Sequence, residues 1–160
     1  MKNLTIQFFD YHVWANEKLI QHLRSLPEEV FTNEVKSVFP SIAATFAHIL
    51  TVDEKWLFRM NGEQMPSFAS KQLHSLEETS LFFSDLHDEI KQFLIQTEDL
   101  EKIVHYKNNS GNQYSNTIAE IFQTISIHGA YHRGNIAAMI RQMGYKGTST
   151  DYIVFLRNKQ

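Results

Sequence analysis

The sequence predicts an all-α fold: an antiparallel four-helix bundle with a small hairpin between helices three and four and a short C-terminal helix. Three observations carry this. Apolar residues recur at three- and four-residue steps along four stretches, capping signals precede two of them, and proline or glycine stands at their ends.

The first stretch puts Phe9, His12, Asn16, Leu19, Ile20, Leu23 and Leu26 on one helical face. Pro27 ends it, because a helix interior accepts neither its missing N–H nor its ring. The second helix runs from near Ser41 to Met60, with Gly62 as its stop, and residues 61–74 read as a loop carrying Gly62, Pro66 and several serines. Ser75-Leu76-Glu77-Glu78 has the spacing of a capping box, and the helix behind it carries Phe82, Phe83, Leu86, Ile90, Phe93 and Leu94. Ile103 to Tyr106 reads as a strand, Asn109 to Asn112 as a turn, and Gln113-Tyr114 as the return. Thr117-Ile118-Ala119-Glu120 is a second capping box, opening the longest helix, which runs to about Met143 before Gly144. Asp151 to Arg157 predicts a short helix that packs back on the bundle. With no repeat, linker or low-complexity tract, residues 1–160 read as a single domain.

Composition narrows the function. The chain has 160 residues, eight histidines and no cysteine, which excludes a disulfide framework, a thiolate zinc site, an iron–sulfur cluster and a cysteine nucleophile. A transition metal would have to be held by histidine and carboxylate. The net charge of −3, with no basic run or stripe, argues against nucleic acid as a partner. No run of about 18 apolar residues is available to span a membrane. The N-terminus carries Asp10 and His12 where a secretory signal would keep an apolar run, so a cytoplasmic protein is expected.

His128 and His132 stand four residues apart. Eight histidines in 160 residues yield about 0.4 such pairs by chance, so spacing alone decides nothing. Their helix says more. Its apolar seam runs Ile118, Ile121, Ile125, His128, His132, Ile136, Met139, so both imidazoles interrupt it and point into the bundle. A buried ring nitrogen without a partner costs about 1–3 kcal/mol, and two adjacent imidazoles resist joint protonation. A divalent cation satisfies both demands; so do bonds to backbone or water, for a pair of core histidines. His48, flanked by Ala44, Thr45, Thr51 and Val52, adds a third imidazole from another helix. Three nitrogen ligands leave a metal at least one open position, as in catalytic sites. Gly129 and Gly134 inside the same helix suggest close approach of backbone or ligand beside the histidines.

Trp14-Ala15-Asn16, His48 followed by Asp53-Glu54-Lys55-Trp56-Leu57, and His128-Gly129-Ala130-Tyr131-His132-Arg133-Gly134-Asn135 together resemble the DinB-like (damage-inducible, YfiT-like) family of bacterial metal-binding four-helix bundles. Arg141-Gln142-Met143-Gly144 and Asp151-Tyr152 fit as well, so the resemblance spans nearly the whole chain. It implies an up-down-down-up type bundle, a divalent metal (zinc or nickel foremost) on His48, His128 and His132, and a homodimer. Asn135 departs from the glutamine that family members often carry. The family includes thiol-dependent S-transferases, related maleylpyruvate isomerases and many members without an assigned activity. The resemblance therefore implies a metal that makes a low-molecular-weight thiol nucleophilic near neutral pH, for an S-transferase-like reaction. A hydrolase-like use of water at the same ligands, and a non-catalytic stress-associated bundle whose metal supports stability or dimerisation, are the other readings. A chain without cysteine would take its sulfur from a small-molecule cosubstrate.

Other residues carry weaker expectations. His12 and Asn16 sit on an apolar face, where they orient a ligand or serve as satisfied core polar groups. Asp53 or Glu54 could supply a fourth ligand or a general base, although neither stands directly above His48. Arg133 is expected in a salt bridge or dimer contact, and His22, His74, His87 and His105 as ordinary exposed or loop residues. The chain has no HExxH, no ExxH of di-iron carboxylate bundles and no glycine-rich phosphate loop.

Overall fold

The computed structural model describes residues 2–63, 71–108 and 110–159. In chain order these form α1 (Lys2–Leu23), α2 (Glu29–Thr32), α3 (Ile42–Met60), α4 (Leu76–Gln96), β1 (Ile103–Lys107), β2 (Gln113–Thr117), α5 (Ile118–Gln142) and α6 (Tyr152–Arg157). The four long helices are those the apolar spacing predicts. Most of the expected loop at 61–74 lies outside the described residues.

Helix ends follow local chemistry. The Ser41 hydroxyl accepts the Ala44 N–H and caps α3. Thr117 and Glu120 form the complete reciprocal box that opens α5. At Ser75 the box is half-shifted: its hydroxyl accepts from Glu78 N–H, but the Glu78 carboxylate takes the N–H of His74 instead. α5 ends where Gly144 adopts φ +87° and the Tyr145 N–H donates back to the Ile140 carbonyl. α1 stops at Leu23, ahead of Pro27, and Pro27 begins an unforeseen single turn, α2, that buries Val30 and Phe31.

α1 packs on α4 and α5, and α3 packs on the same two helices, so α1 and α3 face each other diagonally. Paired contacts give the directions. Phe8 meets Ser126 and His22 meets Lys146, so α1 and α5 run parallel. Lys2 donates to the carbonyls of Ile95 and Thr97, and Lys91 pairs with Asp10, so α4 runs against α1. Thr45 meets Met139 while His48 meets His128, so α3 opposes α5. The arrangement is up-down-down-up. A single large core fills it, centred on Phe9, Phe46, Phe83 and Phe122 with Ile49, Leu50, Ile90 and Ile125.

The hairpin pairs Ile103 with Thr117 through Lys107 with Gln113, so the return strand is longer than the two residues predicted. Ser115, Asn116 and Thr117 lack an apolar alternation because this strand is largely exposed; backbone pairing holds it, with the Tyr106 hydroxyl donating to Asn116 Oδ1 at 2.7 Å. The Arg59 guanidinium lies over both Trp56 and Tyr106 and ties the hairpin to α3. Phe155 of α6 packs with Tyr11 and Ala15 on the outer side of α1.

Candidate metal centre

His48 lies mid-way along α3, and His128 and His132 lie one turn apart on α5. Because these helices are antiparallel neighbours, the three rings meet. One ring nitrogen or carbon-edge partner does not suffice to describe the cluster: the ring centroids are 5.0 Å apart for His48 and His128, 4.6 Å for His48 and His132, and 4.4 Å for His128 and His132. One nitrogen from each ring falls within 4.8 Å of the others. His48 Nε2 and His128 Nε2 stand 3.1 Å apart. Two nitrogens bound tetrahedrally at about 2.0–2.1 Å would be separated by about 3.3 Å, so the donors fit a zinc-sized ion. His128 Nδ1 is buried and has no partner among the described residues.

Burial and mutual repulsion keep the cluster neutral. The His128 imidazole is pushed down to about 3, first by burial and then by His132 and His48. The His132 imidazole is pushed down to about 4 by burial and His48. Burial also lowers His48, outweighing the nearby Asp53 carboxylate. Near pH 7 each ring therefore offers a lone pair, the protonation state a divalent ion needs. Phe39 packs on His48 with ring centroids 4.7 Å apart and on His132 at 5.5 Å. The Asn135 amide lies 3.4 Å from His132 Nδ1 and is placed to orient that ring.

Behind the cluster lies a buried polar network that the sequence reading only partly anticipates. His12 and Asn16 come from α1, Asp53 from α3, His87 from α4 and Arg133 from α5. His12 Nε2 lies 2.8 Å from Asp53 Oδ2 and 3.1 Å from Asn16 Nδ2. His12 Nδ1 lies 3.3 Å from Arg133 Nη1, and the same guanidinium donates to Asn16 Oδ1 at 2.9 Å. Burial drives the Asp53 carboxyl up to about 7, against the pull of His87, Arg133 and His48. His12, Asp53 and His87 also converge closely enough to hold an ion. Arg133 offsets the Asp53 charge there, while Asp53 Oδ1, His87 Nε2 and Arg133 Nε and Nη2 are buried with no hydrogen-bond partner among the described residues.

Two expectations need correction. Arg133, expected in a structural salt bridge or a dimer contact, is 2% exposed and so not a dimer contact, and in place of an ion pair it meets His12, Asn16 and the face of Tyr11. His87 is 4% exposed rather than a surface residue, packed against Phe9, Phe83 and His12. Its position between Phe83 and Ile90, four and three residues away, is the signal that marks it as core-facing. Asp53 and Glu54 do not join the three-histidine group: Asp53 is bonded to His12, and Glu54 pairs with Lys71 at 3.2 Å. His22 bonds the Lys146 carbonyl, while His74 and His105 are exposed as expected.

Gly129 is where close approach matters. A Cβ at this position would collide with the His12 ring, so glycine lets α1 press its imidazole against α5. Gly134 faces open space and has no such role. On the other side of the cluster, His48 lines a cavity of about 570 Å³ together with Phe39, Ala44, Ala47, Thr51 and Lys71.

A family model described as the DinB family matches residues 1–160. The protein named "Protein DinB" from Bacillus subtilis (strain 168) is 32% identical over 164 residues, covering 98% of this chain and 95% of its own.

Proposed function

The chain belongs to the DinB family, and from that premise we propose that it is a metal-dependent enzyme that activates a small nucleophile at His48, His128 and His132. The observation that carries this reading is the placement of His48: it belongs to the three-histidine cluster and also lines the cavity, so a bound ion would face a space large enough for a substrate. A purely structural site would be closed by protein on all sides.

Zinc or nickel suits three neutral imidazoles, and such an ion, when bound, supplies Lewis acidity that makes a thiol or water nucleophilic near neutral pH. A low-molecular-weight thiol is the leading nucleophile and an S-transferase-like reaction the leading chemistry. The chain has no cysteine of its own to supply sulfur. The protein's residues do the remaining work: Phe39 and Asn135 hold the rings, and burial keeps them unprotonated.

The test starts with metal analysis of protein purified without a histidine tag, followed by turnover assays with small thiols and an electrophilic acceptor, and separately with ester substrates. Metal-dependent thioether formation supports the S-transferase reading; metal-dependent ester cleavage alone replaces it with the hydrolase reading. A metal that raises the melting temperature without either activity replaces both with a non-catalytic bundle. A homodimer is proposed on the exposed Ile127 and Tyr131, one turn apart on the outer face of α5, and sedimentation velocity tests it. No described helix is long and apolar enough to cross a membrane.

A further inference from the structure

The cavity beside His48 has a wall whose chemistry selects its occupant. Ala43, Ala44 and Ala47 of α3 form one side, and these small side chains are what leave depth there. Phe39, stacked on His48, forms another.

Three polar groups on this wall are engaged within the protein. The Thr51 hydroxyl donates to the Ala47 carbonyl at 2.7 Å. The Ser41 hydroxyl caps α3 through the Ala44 N–H. The Lys71 ammonium pairs with Glu54 at 3.2 Å and lies over the Phe82 ring, so a ligand would have to compete with both for it. Thr32, Gln72 and His74 are exposed at the rim. Among the described residues, most of what faces the space is hydrocarbon, and the His48 ring is one polar end.

We propose that the cavity binds an uncharged, predominantly apolar molecule, aliphatic or aromatic, with its reactive end toward His48. The assignment rests on the reading that His48 helps to hold a metal, and it deepens that reading by naming the substrate class. A charged ligand would forfeit its hydration for a wall that offers no free counter-charge. An apolar body of metabolite size gains burial along Phe39 and the alanine face.

The experiment uses the full chain loaded with zinc and a neutral fluorescent probe, N-phenylnaphthylamine, beside its anionic analogue anilinonaphthalene sulfonate. The neutral probe is expected to bind more tightly than the sulfonate. Ala44→Phe, which fills the cavity from a half-buried position, is expected to weaken neutral-probe binding about tenfold or more, with metal content unchanged. Ala44→Leu serves the same purpose with a smaller side chain should the phenylalanine variant melt early. Exchange of zinc for paramagnetic cobalt is expected to quench the bound probe, placing it beside the ligands. Equal binding to wild type and both variants, or tighter binding of the sulfonate, overturns the proposal. Wild-type protein that takes up no metal overturns the metal reading instead, and metal analysis of the same samples reads that outcome independently of the probe.

Discussion

At the scale of single residues, the three imidazoles and the glycine beside them make separable predictions. His128→Ala removes one nitrogen of three and is expected to reduce bound metal from near one ion per chain to a small fraction of it, read by elemental analysis; full retention would dismiss the ligand set. Gly129→Ala pushes a methyl group into the His12 ring and should cost about 1–3 kcal/mol in chemical denaturation. Gly134→Ala, at an exposed helical position with open space around it, should instead add up to about 1 kcal/mol. The contrast tests whether close approach or mere sequence position explains the two glycines. His87 adds a pH dependence. Burial, then His12, holds its imidazole down at about 3, and Arg133 pushes the same way while Asp53 opposes them. The unfolded chain takes up that proton near 6.5 and the folded chain does not until about 3, so stability is full above 6.5 and is lost as pH falls toward 3. His87→Phe, matching Phe9 and Phe83, should flatten that acid-side loss in melting temperature.

At the scale of elements, the caps were readable because their chemistry is local. Thr117 and Glu120 satisfy each other's orphan donors within four residues, so sequence spacing is enough to find them. Thr117→Ala should destabilise the protein by about 1 kcal/mol, seen as a shift in denaturation midpoint with unchanged slope. The four long helices were equally legible, since a 3.6-residue period survives whatever they pack against. The short elements were not. α2 is a single turn too brief to show a period, and β2 is a polar strand whose pairing with β1 leaves no hydrophobic signature. His87 and Arg133 were misplaced for a related reason. Their residue types favour the surface, and only their partners on other helices stabilise their burial.

At the scale of the whole molecule, the up-down-down-up order decides what can meet. It sets α1 parallel to α5, bringing His12 and Asn16 against Arg133, and sets α3 against α5, bringing His48 to His128 and His132. The core is continuous and large, so the fold does not depend on an ion. Chelation should therefore leave the helical circular-dichroism signal intact. Metal at a hundredfold excess over its dissociation constant should stabilise the holo form by about 3 kcal/mol, or about 2–4 °C of melting temperature for each of those kcal/mol. Unfolding on chelation would show instead that the ion is part of the core.

The sequence by itself determined the bundle and its caps and singled out His128 and His132, because periodicity, capping and an interrupted apolar seam are properties of one helix at a time. The tertiary structure alone decided that Asp53, His12, Asn16 and Arg133 meet in one buried polar network and that His48 opens on a largely apolar cavity. Those facts depend on side chains from different helices. Their distances, and therefore their charges and their access to a ligand, are set only when the helices pack.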